Sequence, residues 1–258
     1  MTGNAGKGDI LIRRLKDVLK SRRPEIVLIV VFQTALILLL QRMILLGGPD
    51  QPQPPAVPGW ALFVLGVGSM MMAIVWQMLY LGFLRTTALS GAEPQDPVVL
   101  VRTGRPFFWR ILGVQIVVGL VLWVIAVFLL SLMGGLLGYQ RPEMLPPWLV
   151  ELTLVASIAL MVKPIFGVPS FMLALDIKAI EAAKLIWQIR LSDMGILPPC
   201  YGAGLAALAA MGAAASFAPQ EGVIYYIAMT TGHLAQSMIF FLLMLLTVLF
   251  VAIETEKR

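Results

Sequence analysis

Long apolar runs alternate with short polar stretches along almost the whole chain. Each run has 18 residues or more, which is close to the length that an α-helix needs to cross a hydrocarbon core about 30 Å thick. The pattern predicts six membrane-spanning helices, preceded by a polar, basic segment over residues 1–24. The predicted spans cover residues 25–46, 60–84, 111–139, 148–175, 200–217 and 223–253.

The composition excludes a water-soluble fold. Of the 258 residues, 59% are hydrophobic and 13% are charged, and that charged share is about half the share in an ordinary soluble domain. A soluble protein of this size could not bury so much apolar surface. We therefore predict an all-α transmembrane bundle as one domain over residues 25–258. The single cysteine, Cys200, cannot form an internal disulfide, and the charged N-terminal region is unlike a cleavable signal peptide.

The basic residues fall on alternate sides of the predicted spans. Sixteen of them lie before span 1, after spans 2 and 4, or in the C-terminal tail, whereas Arg141 alone lies in a loop on the other side. By the positive-inside rule, this asymmetry predicts that both termini are cytoplasmic. The net charge of +5 comes from these flanking residues, and they build no separate basic domain for nucleic-acid binding.

The segment before the first span has the pattern of a basic amphipathic helix. Four apolar residues share one of its faces: Leu11, Leu15, Val18 and Leu19. Such a helix is suited to lie on an anionic membrane surface. The residues predicted to face that surface are Arg13, Arg14, Lys16, Lys20, Arg22 and Arg23. Two interpretations stay open: an anchor that fixes the topology, which we favour, and a sensor of lipids or of a partner protein.

The two longer cytoplasmic loops share an organisation. Each has a helix-like portion, then a basic residue, then the next span, over residues 86–112 and 176–197. A shift of 85 residues aligns Arg105 with Arg190. This match suggests a degenerate parallel repeat of two hairpins. We predict one short cytoplasmic helix in each loop.

Two passages resemble a known bacterial family. In VRTGRPFFWRILGV, a basic residue precedes an aromatic-Trp-Arg entry into span 3. In LMVKPIFGVPSFMLALDIKAIEAAKLIWQI, a basic residue precedes a proline within span 4, and an acidic turn and a Glu-Ala-Ala helix with a tryptophan follow. These passages resemble the six-helix membrane domain that is fused to some glycerophosphodiester phosphodiesterases, and its stand-alone YciC-like relatives.

The resemblance implies a fold and a location but little about activity. It implies a six-helix domain in the bacterial inner (plasma) membrane. The fused enzymes carry their chemistry in a separate soluble domain, and this chain has no such domain. The chain departs from the family pattern at two places. The pattern usually has arginine in place of Lys163, and serine in place of Leu185 or Ile186.

The stretch ALMVKPIFGVPS places a lysine and two prolines inside the fourth span. Lys163 follows Trp148 by 15 residues, which puts it about 22 Å deeper along a helix. Pro164 and Pro169 free carbonyl groups of the preceding turns, and those carbonyls need partners. We therefore predict a broken, bent inner half of the span. Lys163 is interpreted either as a structural residue that satisfies a freed carbonyl, which we favour, or as part of a lipid-headgroup or ligand site.

Few other polar groups share the predicted membrane region. His233 and Gln236 lie on one face of span 6, and we interpret His233 as an interhelical hydrogen-bond partner rather than a proton carrier. The candidate polar site, for a lipid or ligand or for structure, comprises Lys163, Pro164, Pro169, His233 and Gln236. In span 5, Gly202, Ala206 and Ala210 share a face and are predicted to contact other helices of the same chain.

The sequence contains no recognisable catalytic motif. It has no nucleophile elbow, no HExxH and no phosphate-binding loop, and one cysteine with one histidine cannot build a usual zinc site. We predict no enzyme activity, no metal and no cofactor.

Two function classes remain. We favour a non-catalytic accessory, scaffold or assembly protein; the alternative is a permease-type transport subunit for a hydrophobic or lipid-like substrate. The expected partners are membrane lipids with anionic headgroups at the cytoplasmic face, and other membrane subunits or a second copy of the chain. Nucleic acid is not expected as a partner.

Overall fold

The computed structural model describes residues 3–47, 59–138, 145–216 and 223–256, and all regular structure in these ranges is helical. The predicted all-α fold class is thus confirmed. A π-helical turn, Lys163–Gly167, lies between α5 and α6, and a 3-10 turn, Leu191–Met194, lies between α7 and α8. The helices of the described ranges are α1 (Gly3–Ser21), α2 (Arg23–Gly47), α3 (Gly59–Ser90), α4 (Pro97–Leu136), α5 (Pro147–Leu160), α6 (Val168–Leu175), α7 (Ala179–Gln188), α8 (Leu197–Ser216) and α9 (Val223–Thr255).

Several of the described helices are compatible with a membrane protein. Three are long and apolar enough to cross a membrane, namely Phe63–Ser90 in α3, Pro97–Leu136 in α4 and Thr230–Thr255 in α9. A fourth candidate is the bent pair Trp148–Leu160 and Lys163–Leu175. Helices α2 and α8 occupy the positions of the first and fifth predicted spans. The full six-span topology and its orientation stay predictions, and Arg141 lies outside the described residues.

The first of the two predicted loop helices is not separate. Asp96 caps the N-terminus of α4, because its carboxylate accepts a hydrogen bond from the backbone N–H of Val98 at 2.7 Å, and Pro97 follows at the first helical position. From there α4 continues for 40 residues, through Pro106, into the predicted third span. The prediction of a separate helix is therefore wrong here, because the capped helix begins well before the apolar run and continues into it. The second loop helix is present as α7.

Helices α3 and α4 cross with their backbones in contact at two glycines. A Cβ added to Gly82 would lie 1.7 Å from the carbonyl oxygen of Leu100, and one added to Gly104 would lie 1.8 Å from that of Met78. Only a residue without a side chain permits so close an approach. This crossing fixes α3 and α4 against each other close to the short segment that connects them.

Helix α8 packs through a different face from the predicted one. Gly202, Ala206 and Ala210 are exposed. A Cβ on Gly204 would instead come within 2.9 Å of α9, and one on Gly212 within 2.8 Å of α5. The predicted contact of the first three residues with other helices is therefore wrong. Small residues occur on both faces of α8, so their spacing alone could not select the packed one.

The core is built around the second half of α9. Nearly all side chains from Phe241 to Ile253 are buried, and α9 contacts α1, α2, α3, α6 and α8. A helix that is apolar on all sides belongs at the centre of a bundle. Helix α4 is the opposite case, because its most apolar window contains no residue buried inside the bundle.

The N-terminal helix α1 packs its apolar stripe against the bundle. Leu11 and Val18 are buried, and Leu15 and Leu19 pack against the same core. The neighbours of α1 are α9 and α2. The prediction that this stripe lies on a membrane surface is corrected accordingly. Packing against the bundle removes the stripe from water, as contact with a membrane surface would.

Candidate functional site

The fourth predicted span is bent at its lysine–proline pair. Helix α5 ends at Leu160, the π turn follows, and the two halves meet at 61°. Pro164 has no N–H to donate to the carbonyl of Leu160, and Pro169 has none to donate to the carbonyl of Ile165. Interruptions of this kind are where isolated π turns and kinks occur. The predicted break and bend are confirmed.

Lys163 caps a neighbouring helix rather than the carbonyls of its own bend. Its Nζ donates a hydrogen bond to the carbonyl oxygen of Ile189 at 2.7 Å, directly after the last residue of α7. The ammonium also lies 5.7 Å from the centroid of the Trp187 ring. A cation is favourable at a helix C-terminus, where unpaired carbonyls carry partial negative charge. The geometry fits the structural interpretation of Lys163, although the bonded carbonyl belongs to a different segment from the expected one.

Helix α7 rests directly on the bend at a glycine. A Cβ on Gly167 would lie 2.4 Å from Cγ1 of Ile186, and both Ile186 and Ala182 are buried against this surface. The absence of a side chain at Gly167 thus allows the middle of α7 to pack closely, and Lys163 bonds the C-terminal end of α7. The bent span and α7 form one packed unit.

A second basic residue caps α6 in the same way. Nη1 of Arg85 donates a hydrogen bond to the carbonyl oxygen of Ala174 at 3.0 Å, and also to that of Leu173. The chain leaves α6 at Asp176, whose φ of 53° is left-handed, and Arg110 of α4 donates to its carboxylate at 2.8 Å. The turn between α6 and α7 is therefore held by arginines from two other helices.

Two buried charges lie where α1 meets α2. Arg22 is fully buried and Glu25 nearly so. Nε of Arg22 donates to the Glu25 carboxylate at 2.7 Å, while Nη1 and Nη2 donate to the hydroxyls of Thr87 at 2.6 Å and Thr86 at 2.9 Å. The guanidinium also lies over the Phe83 ring, 4.4 Å from its centroid. A buried guanidinium needs such a set of acceptors, because an unpaired charge in the interior is very costly.

Glu25 extends this cluster into the connection between α3 and α4. Its second carboxylate oxygen accepts a hydrogen bond from the backbone N–H of Gln95 at 2.6 Å. The prediction that Arg22 faces a membrane surface is wrong, because acceptors inside the bundle take up its donors. The three-residue spacing of Arg22 and Glu25 is the local signal for this pair. The two threonines lie more than 60 residues away, and no sequence pattern links them to Arg22.

The other basic residues of the N-terminal segment differ in their contacts. Four of them are exposed, as a membrane-facing role requires: Arg13, Lys16, Lys20 and Arg23. Arg14 instead donates two hydrogen bonds to the carboxylate of Glu256, at 2.9 and 2.6 Å. These bonds raise the pKa of the Arg14 guanidinium and lower the pKa of the Glu256 carboxyl. A salt bridge therefore ties α1 to the residue that follows α9.

A cavity of about 380 Å³ opens beside the bend. Its apolar wall includes Ile165 and Phe166 of the π turn, together with aromatic rings of α3 and α9. Among the described residues that line it, none is charged. Amide and hydroxyl groups come from five lining side chains on four helices: Gln33 of α2, Tyr80 of α3, Gln115 of α4, and Gln236 and Ser237 of α9.

The amides of this cavity have open hydrogen-bonding capacity. Oε1 of Gln115 accepts a hydrogen bond from Nε2 of Gln77 at 2.8 Å, which leaves the Gln115 amide nitrogen available. Within the described ranges, the side chains of Gln33 and Gln236 make no hydrogen bond to another protein group. Amide groups that are removed from bulk water need hydrogen-bond partners. The cavity therefore presents donors and acceptors to whatever fills it.

The structure divides the predicted polar site. Gln236 lines the cavity, whereas His233 is exposed outside it. Three predicted members do not line the cavity: Lys163, Pro164 and Pro169. The predicted site did not include Gln33 or Gln115, because each is a single amide in an apolar run. Their convergence depends on how three helices cross, which no local spacing reveals.

In the described part of the chain, no group of three or more His, Cys, Asp or Glu side chains could hold a metal ion. No protein-family model matches this chain, and neither a curated protein nor a solved structure is detectably similar to it. The resemblance to the six-helix membrane domain therefore stays a prediction.

Proposed function

We propose that this chain is a non-catalytic integral membrane protein that acts as an accessory, scaffold or assembly partner in a bacterial inner membrane. The observation that carries the proposal is that three basic side chains hydrogen-bond to other segments of the same chain. Arg22, Arg85 and Lys163 each bond a hydroxyl or carbonyl group of another segment. Contacts of this kind make a fixed platform. They fit a transporter less well, because its parts must move against one another in each cycle.

The proposed topology has six spans with both termini in the cytoplasm. Two observations support it. Helices occupy all six predicted positions, and the basic residues are strongly asymmetric between the two sides of the spans. In this topology, α1, α7 and the Arg22 cluster lie at the cytoplasmic side, and the amide-lined cavity lies in the inner half of the membrane.

The partner surface is proposed to be the outer flank of α4. The most apolar window of α4 has no residue buried inside the bundle, and large rings such as Trp123 and Phe128 are exposed there. Large exposed apolar patches mark membrane or protein contacts. In an accessory protein, part of this flank contacts a partner helix and the rest contacts lipid.

Site-specific photo-crosslinking in the membrane tests this proposal. A photoreactive residue at Trp123 of α4 is expected to capture a membrane protein, or a second copy of the chain, that also co-purifies in mild detergent. The matched control is Phe63 of α3, which is equally exposed. A monomer whose Trp123 position captures lipid alone contradicts the accessory role.

The second candidate is the permease-type subunit for a lipid-like substrate. The observation that favours it is the amide-lined cavity beside the bend, because a substrate drawn from the bilayer needs such a place to bind. In the same purification, a stoichiometric nucleotide-binding subunit would favour this candidate over the accessory role.

A further inference from the structure

The amide-lined cavity beside the bend is too large and too polar to be a simple packing defect. Its volume of about 380 Å³ is that of roughly thirteen water molecules at about 30 Å³ each. Gln33 and Gln236 have no protein hydrogen-bond partner within the described ranges. Packing defects in membrane bundles are lined by apolar groups, since an unsatisfied amide in hydrocarbon is costly. Something that hydrogen-bonds is therefore expected to occupy the space.

The chemistry of the lining selects an uncharged occupant. Amides and hydroxyls both donate and accept hydrogen bonds, and among the described lining residues there is no cation to meet a phosphate or carboxylate. The neighbouring cation, Lys163, is already bonded to Ile189. A charged head group would enter without a counterion, which is strongly unfavourable in a low-dielectric interior. Hydroxyl and carbonyl oxygens fit the site without that cost.

The position of the cavity opening indicates that the occupant is an amphiphile. Gln115 lines the cavity and is also exposed on the surface of the bundle, so the cavity is open on the side of α4. In the proposed topology this side faces hydrocarbon. Aromatic side chains complete the wall, among them Trp76, Phe240 and Phe241. A ligand can thus place its polar end among the amides and leave an apolar tail in the membrane.

We infer that this cavity binds the uncharged head group of a membrane amphiphile that carries hydroxyl or carbonyl oxygens. A diacylglycerol and an isoprenoid quinone share this chemistry. Gln33, Gln236 and the free amide nitrogen of Gln115 bond the oxygens of the head. The inference rests on the proposed membrane placement. It stands whether the protein is an accessory subunit or a transport subunit.

The experiment compares lipids that differ in the charge of the head. The full chain, purified in mild detergent, receives equal amounts of dioleoylglycerol, dioleoyl phosphatidic acid and decylubiquinone, and native mass spectrometry measures which is retained. The first two share the glycerol and both acyl chains. We expect a neutral probe to be retained about tenfold or more over phosphatidic acid, because an unpaired phosphate is poorly tolerated inside. The preference between the two neutral probes identifies the source of the head group.

Leucine variants of the amides test the named contacts. Gln236→Leu and Gln33→Leu keep a similar volume and remove the hydrogen-bonding groups. Each is expected to lower retention of the neutral probe by roughly five- to tenfold. Gln188→Leu is the matched control, because this exposed amide of α7 lies outside the cavity. It should leave retention unchanged.

A cysteine-protection measurement covers the case in which a leucine variant does not fold. Ser237→Cys in a Cys200→Ser background changes little in size and is labelled by N-ethylmaleimide. The retained neutral probe is expected to slow this labelling, and phosphatidic acid is not. Equal retention of phosphatidic acid, retention of neither neutral probe, or normal retention by Gln236→Leu and Gln33→Leu would overturn the inference. Failure of the membrane placement itself would show separately, in the topology labelling described below.

Discussion

Two basic residues in this bundle bond the carbonyl groups at helix ends. Lys163 bonds the carbonyl that follows α7, and Arg85 bonds the last carbonyls of α6. Helices of 8 and 10 residues are marginal when isolated. Their terminal contacts therefore help to decide whether they stay formed, which gives each of these cations a local and measurable role.

Replacement of Lys163 by methionine should loosen α7. The change keeps most of the side-chain length and removes the charge, so we expect a loss of about 1 kcal/mol in stability and faster amide hydrogen exchange over residues 179–188. Lys163→Arg should preserve both, because the guanidinium can donate to the same carbonyl. Lys184→Met, at an exposed position of α7, is the matched control. Unchanged exchange in Lys163→Met, together with loss of a bound anionic lipid, would instead favour the ligand interpretation.

Replacement of Arg22 should be far more damaging than replacement of its neighbour. Arg22→Met leaves the buried Glu25 carboxylate without its counterion, and we expect a loss of about 3–5 kcal/mol. Arg23→Met removes an equal charge from an exposed position and should change stability by less than about 0.5 kcal/mol. Thermal unfolding in detergent measures both. Similar melting temperatures for the two variants would contradict the buried cluster.

The sequence could indicate which residues are charged near the membrane but not which of them are buried. Arg22 and Arg23 are adjacent and chemically identical, yet only Arg22 meets Thr86 and Thr87 inside the bundle. That difference depends on how α2 packs against α3. The break at Lys163 was predictable, because proline disrupts a helix locally whatever surrounds it.

At the scale of helices, the close crossing of α3 and α4 at glycine predicts that an added side chain lowers stability. A methyl group at position 104 would meet the Met78 carbonyl at 1.8 Å, so Gly104→Ala must push the two helices apart. We expect a loss of about 1–3 kcal/mol or more, seen as a lower melting temperature.

Gly113→Ala is the control, because it lies in the same helix and a Cβ there meets nothing within 4 Å. Alanine in a helix interior is favoured over glycine by about 1 kcal/mol, so this variant should be neutral or slightly more stable. A Gly104→Ala variant as stable as Gly113→Ala would rule out backbone contact at the crossing.

Periodicity predicted where helices lie better than it predicted which of their faces pack. The positions of α7 and of the bent span follow from apolar runs and prolines. The continuity of α4 did not follow, because its start is set by the Asp96 cap and not by the apolar run. In α8, small residues on two faces made the packed face a matter of tertiary contact. The cavity likewise depends on crossings between distant segments.

For the whole molecule, thiol labelling of the connecting segments tests the proposed orientation across the membrane. Single cysteines at Gln53 and Gln220, which lie outside the described residues, are expected to react with an impermeant thiol reagent added to intact cells, in a Cys200→Ser background. Cysteines at Ser90 and Lys184, both exposed, should react only after lysis, since the positive-inside rule places them in the cytoplasm. Labelling of the second pair in unlysed cells would refute the proposed orientation.

The contact between α1 and α9 joins a helix that is synthesised early to one that is synthesised late. Arg14 and Glu256 are separated by 242 positions, and Leu11 and Val18 of α1 belong to the core in which α9 is central. A ribosome that adds about 5–20 residues per second needs roughly ten seconds or more to pass from one helix to the other. During that interval the apolar stripe of α1 has no α9 to cover it. We therefore expect this stripe to need a temporary apolar cover, such as a membrane surface, until α9 is made.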